Sequence, residues 1–116
     1  MEKNFLNGKN VLITGASRGL GREMAINLAG AGAKIALVGR AEAKLEETKG
    51  MLETMGVMSK IFLADVSKEL DVVDLEKKVS STMGRIDVLI NNAGAGNAHT
   101  LTMAKRAEKT VLSLDG

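Results

Sequence analysis

The chain has 116 residues, 45% hydrophobic and 26% charged, with 16 basic and 14 acidic side chains and a net charge of +2. Those totals suit one domain, residues 1–116, with a real core. They exclude the clustered basic footprint of a nucleic-acid partner, and no apolar run reaches the roughly 18 residues of a membrane span. With no cysteine and a single histidine, His99, no disulfide, thiolate nucleophile or metal centre is expected. The first eight residues, MEKNFLNG, lack the apolar stretch of a secretory leader, so the cytoplasm is the expected compartment.

The elements alternate. Residues 9–14 end in the apolar, β-branched run Val11, Leu12, Ile13, which reads as a strand buried on both faces. Helix one is predicted from Arg18 or Gly19 to Gly30, with Leu20, Met24, Leu28 and Ala31 on one face. Strand two covers 34–38. Helix two covers 42–55, with Leu45, Leu52 and Met55 turned inward and Gly56 as its stop. Strand three covers 59–64. Helix three runs to Met83 from an N-cap at Ser67, with Val72, Leu75, Val79 and Met83 as its apolar stripe. Strand four covers 85–90. A loop over 91–100 and a fourth helix over 101–114 complete the pattern.

Such alternation with short connections predicts an α/β fold, a doubly wound parallel sheet with helices on both faces. Right-handed crossovers give the strand order 3-2-1-4. A ligand then belongs outside the carboxyl ends of the strands, at the switch point between strands one and four. The turn after strand one and the segment from Asn91 to Gly94 both emerge there.

The turn after strand one is the richest stretch. Thr14-Gly15-Ala16-Ser17-Arg18-Gly19-Leu20-Gly21 places three glycines between a strand and a helix start. Amides at a helix start lack partners within the helix, and the helix dipole adds positive potential there. Glycine lets a phosphate approach the main chain without meeting a Cβ. No Lys follows the glycines, so the motif is not a mononucleotide P-loop.

This T-G-x-x-x-G-x-G form resembles the short-chain dehydrogenase/reductase family. Asp65-Val66 after strand three and Asn91-Asn92-Ala93-Gly94 after strand four look like two further family motifs, in order and at the right strand ends. The resemblance covers essentially the whole chain. It is similar to the amino-terminal, cofactor-binding half of an NADP-dependent reductase, the 3-oxoacyl carrier-protein reductase group looking nearest.

Residue by residue, the resemblance implies a Rossmann-like domain of about four strands. Ser17, Arg18 and Leu20, with Gly15, Gly19 and Gly21, would line pyrophosphate and ribose. Arg40 would read a 2′-phosphate, Asp65 and Val66 would hold adenine, and Asn92, Ala93 and Gly94 would flank the adenosine ribose. The residues themselves support NADP(H) over NAD(H). Where an NAD site places an acid at the end of strand two, this chain has Gly39, followed by Arg40. Other readings remain at each place. Arg18 and Arg40 also suit solvated surface charges, Asp65 a turn or cap before Ser67, and the Asn pair a polar loop that satisfies neighbouring strand ends.

The family's reaction is hydride transfer between nicotinamide and a carbonyl or alcohol, served by a Tyr, a Lys four residues on and a Ser, all in the family's second half. This chain contains no Tyr. A further family Asn is also replaced: Ser113 stands at its place. The expectation is a cofactor-binding part, truncated before the catalytic half and inactive alone. Strand four would then be an open edge, with Ile86, Val88, Leu89 and Ile90 exposed and poised for homo-oligomeric or partner pairing. A non-enzymatic NADP(H)-binding or interaction module using that edge is the alternative.

Overall fold

A computed structural model describes residues 4–92 and 110–113. The element order is β1 (Asn10–Thr14), α1 (Gly19–Gly30), β2 (Lys34–Gly39), α2 (Glu42–Thr54), β3 (Ser59–Leu63), α3 (Glu69–Thr82), β4 (Val88–Asn91) and β5 (Thr110–Ser113). All pairings are parallel, and the sheet order is β3-β2-β1-β4-β5. The expected 3-2-1-4 order is therefore present, with a fifth strand beyond it.

Alternation along each strand divides the core. Leu12, Ala36, Val38, Phe62 and Leu89 face α3, where they meet Val72, Leu75 and Val79. Val11, Ile13, Ile35, Leu37 and Ile90 face α1 and α2, where they meet Ala25, Ala29, Leu45 and Leu52. Because β1 and β2 are covered on both faces, they have no polar alternation to show, which is why they read as continuous apolar runs.

Three helix expectations are corrected. On α1 the buried residues are Gly21, Ala25 and Ala29, while Leu20 is 49% exposed. Small side chains let this helix lie close on the sheet; Met24 and Leu28, partly buried, still pack against that core and Ala31 is buried, so only Leu20 of the expected stripe turns to solvent. On α2 the buried residues are Leu45, Thr48 and Leu52, and Met55 is 43% exposed. Helix α3 begins at Glu69 with Lys68 at the cap position, because the Ser67 hydroxyl is donated to Asp65 Oδ1 at 2.6 Å.

The last expected elements also change. Residues 110–113, placed in a fourth helix by periodicity, are strand β5, paired with β4 from Val88↔Thr110 to Asn91↔Ser113. Strand β4 is consequently no open edge. It lies between β1 and β5, and Ile86, Leu89 and Ile90 are buried. Asn91, expected to open a loop, is the last residue of β4; residues 93–109 of the expected loop and helix, with His99, and 114–116 lie outside the described residues. No described helix is long and apolar enough to cross a membrane.

Candidate functional site

Strand β1 ends at Thr14, and the chain must turn sharply to bring α1 back across the sheet. Gly15 and Gly19 take positive φ of 66° and 58°, a conformation that side-chain-bearing residues resist. Gly21 is required by proximity. A Cβ there would lie 2.0 Å from the Gly15 carbonyl oxygen and 2.6 Å from Asn92 Nδ2. At Gly19 an added Cβ would meet nothing within 4 Å, so that flank of the turn is open. Arg18 is the extended N-cap residue of α1, and no side chain caps the helix. Its first amides thus lack a side-chain acceptor.

Strand β4 braces the turn from the other side. Thr14 Oγ1 accepts the Asn92 N–H at 2.9 Å and lies 3.2 Å from Asn91 Oδ1. Asn92 Nδ2 donates to the Gly15 carbonyl at 3.1 Å. The Asn pair thus satisfies groups at neighbouring strand ends, one of the readings its sequence allowed.

A pocket of about 980 Å³ opens over the carboxyl ends of the strands. Eight residues singled out in the sequence line it together: Gly15, Ser17, Arg18, Gly19, Arg40, Asp65, Val66 and Asn92. Leu20 and Gly21 do not line it, Gly21 lying beneath the turn and Leu20 projecting to solvent. Ala93 and Gly94 lie outside the described residues. So does the Ser113 side chain, although its backbone stands level with Asn91 at the end of β5.

The sequence reading missed several contributors. Lys44, on the first turns of α2, is a third cation on the pocket wall beside Arg18 and Arg40, and Ser67 borders Asp65. Thr48 and Arg22 stand behind the turn. A basic residue one turn into helix two was the available signal for Lys44; a buried threonine on an otherwise apolar face leaves none.

Electrostatically the pocket is positive at one wall and carries one carboxylate at the next. Asp65 Oδ1 accepts from the Ser67 hydroxyl and, at 3.0 Å, from the Ser67 N–H, while Oδ2 lies 3.7 Å from Arg40 Nη1. The Ser67 hydroxyl first, then the Ser67 amide, with smaller help from Arg40 and Lys68, hold the carboxyl below the usual carboxylate range against the opposing effect of burial. Asp65 is therefore both the turn residue and an ionised acceptor on the pocket wall. Uncapped helix amides, an open glycine flank and three cations fit a phosphorylated ligand, and the carboxylate fits a base with an amino group. Among the described residues no cluster of His, Asp or Glu could hold a metal ion.

The family model described as short chain dehydrogenase matches residues 9–114. An uncharacterized oxidoreductase of Thermotoga maritima is 42% identical over 87 residues, which are 75% of this chain and 34% of that protein. A 3-oxoacyl-[acyl-carrier-protein] reductase of Staphylococcus epidermidis is 40% identical over 105 residues, 86% of this chain and 41% of that one. An alcohol dehydrogenase from the archaeon Thermococcus sibiricus, solved in complex with 5-hydroxy-NADP, superposes with a TM-score of 0.78 at 28% identity, covering 90% of this chain and 57% of that one. The chain thus spans about a third to two-fifths of the length of these two curated relatives.

Proposed function

The chain belongs to the short-chain dehydrogenase family, and on that premise we propose that it is the NADP(H)-binding part of an oxidoreductase acting on a carbonyl or alcohol. The observation that carries the NADP reading is the wall after β2. Gly39 stands where a carboxylate would repel a 2′-phosphate, and Arg40, Arg18 and Lys44 line the same pocket.

Each residue then has a task. The turn at Gly15–Gly19 offers main-chain amides to the pyrophosphate, and the α1 terminus adds its dipole. Arg40 supplies a planar fork of donors for the 2′-phosphate, with Lys44 as a neighbouring point charge. Asp65 accepts from the adenine amino group, and Val66 packs against the ring. Asn92, held by Thr14, leads the chain past the adenosine ribose, with Ala93 and Gly94 continuing that path. When bound, the nicotinamide supplies or receives the hydride exchanged with the substrate carbon. The 116 residues include no Tyr, the residue to which the family assigns the proton exchange. A compartment in the cytoplasm and assembly into homo-oligomers accompany this reading. The alternative of an interaction module built on an open strand-four edge loses its basis, since β5 occupies that edge.

Calorimetric titration of the chain with NADPH and NADH tests the assignment. Arg40→Asp weakens NADPH more than NADH, by about 1.5–3 kcal/mol for one lost charge-assisted contact. An equal loss for both dinucleotides contradicts the 2′-phosphate role.

A further inference from the structure

The outer side of the glycine turn is as ordered as its pocket side. Arg22, on the first turns of α1, donates from Nη2 to the Ser17 carbonyl at 2.6 Å and to the Lys44 carbonyl at 3.1 Å. Its Nε donates to Thr48 Oγ1 at 2.9 Å, and Glu47 lies 3.7 Å from its guanidinium. The Thr48 hydroxyl, fully buried on α2, lies 3.0 Å from the Ala16 carbonyl and 3.4 Å from the Lys44 carbonyl, and the shorter approach takes its one proton. Two successive carbonyls of the turn are therefore held by side chains that do not line the pocket.

A trans peptide is planar, with its N–H antiparallel to its C=O. Fixing the Ala16 and Ser17 carbonyls toward α2 fixes the Ser17 and Arg18 amides on the opposite side. Ser17 and Arg18 both line the pocket. Neither amide makes a well-aligned hydrogen bond to another main-chain group among the described residues.

We propose that Arg22 and Thr48 form a clamp of positioning residues, which aims the Ser17 and Arg18 amides at the pyrophosphate without touching it. The proposal rests on the dinucleotide reading of the pocket. The clamp also ties α1 to α2, through the Thr48 hydroxyl and the Lys44 carbonyl. Removing the clamp acts on a group that both dinucleotides possess. It therefore weakens both equally, unlike a change at Arg40.

The test is titration of the parent chain, Thr48→Val, Thr48→Ser and Arg22→Gln with NADPH and with NADH. Thr48→Val and Arg22→Gln each release one turn carbonyl from its side-chain donor, raise both dissociation constants about tenfold and leave their ratio unchanged. Thr48→Ser, which keeps the hydroxyl, binds like the parent. Amide exchange at Ser17 and Arg18 accelerates in the two weakened variants without any dinucleotide present. Unchanged affinity in a folded variant, a loss confined to NADPH, or a serine variant as weak as the valine one overturns the clamp. If Thr48→Val does not fold, Arg22→Gln, on the part-exposed side of α1, decides the question. A parent chain that binds neither dinucleotide overturns the pocket's reading and the clamp with it; a parent that binds both, with variants indistinguishable from it, overturns the clamp alone.

Discussion

The two ends of the sheet use one device for opposite purposes. At the amino ends, Asn10 Nδ2 donates to the Met83 and Arg85 carbonyls at 3.0 and 2.8 Å, while its own N–H meets Asp87 Oδ2 at 2.9 Å. These bonds close the approach to β4 onto β1. At the carboxyl ends, Asn92 and Thr48 likewise bind main-chain carbonyls from segments distant in sequence, and Arg22 binds one five residues before it. There the captured carbonyls belong to a turn whose other side faces an open pocket. Side-chain to main-chain bonds thus seal one end and prepare the other, and the difference is that only the second set holds residues that border a pocket.

The sharpest way to break this comparison is Gly21→Ala. The new Cβ would sit inside contact distance of main-chain atoms of Gly15 as well as Asn92 Nδ2, and backbone cannot swing aside as a flexible side chain does. A loss of about 3 kcal/mol in denaturant-unfolding stability is expected, together with loss of dinucleotide binding. A stable alanine variant that binds normally would show that the turn is looser than its contacts.

Asn10→Ala probes the other end and should do half of this. It removes two donors from the Met83 and Arg85 carbonyls, but it also removes Asn10 Oδ1, a buried atom with no hydrogen-bond partner among the described residues. The net cost expected in chemical denaturation is about 1 kcal/mol, with dinucleotide affinity unchanged. A drop in affinity as large as that of Gly21→Ala would erase the distinction between the ends.

The smallest effect concerns Asp65. Its folded-state pKa is depressed, so its contribution to stability is full above the unfolded value, near pH 4, and is lost as pH falls through the lower folded value. The thermal midpoints of the parent and Asp65→Asn should therefore differ at neutral pH and converge in acid. Divergence on acidification contradicts the hydrogen bonding described for this carboxylate.

Much of this was legible from residue types. The buried strands announced themselves through Val11-Leu12-Ile13 and KIALV, and the glycines located the turn, because strand burial and tight turns restrict composition directly. Helix faces were less legible. Leu20 and Met55 are bulky and were assigned inward, yet Ala25, Ala29 and Thr48 hold those faces. Close approach favours small residues, and a buried hydroxyl is admissible only when bonded, which here depends chiefly on Arg22 and Ala16, far away in sequence. Strand β5 was hidden for a similar reason. A four-residue run such as TVLS is compatible with helix or strand, and pairing with β4 decides it. The pocket residues at strand ends were legible one by one; the clamp behind them was not, because it depends on Thr48 meeting Arg22 and Ala16, 26 and 32 residues away in sequence.

The most direct measurement is amide chemical-shift mapping of the labelled chain during titration with NADPH. The account predicts that the largest movements fall at residues 15–21, with secondary ones near Arg40 and Asp65, and none around Asn10. Saturation that leaves the amides of that turn in place, or moves those beside Asn10 instead, contradicts it.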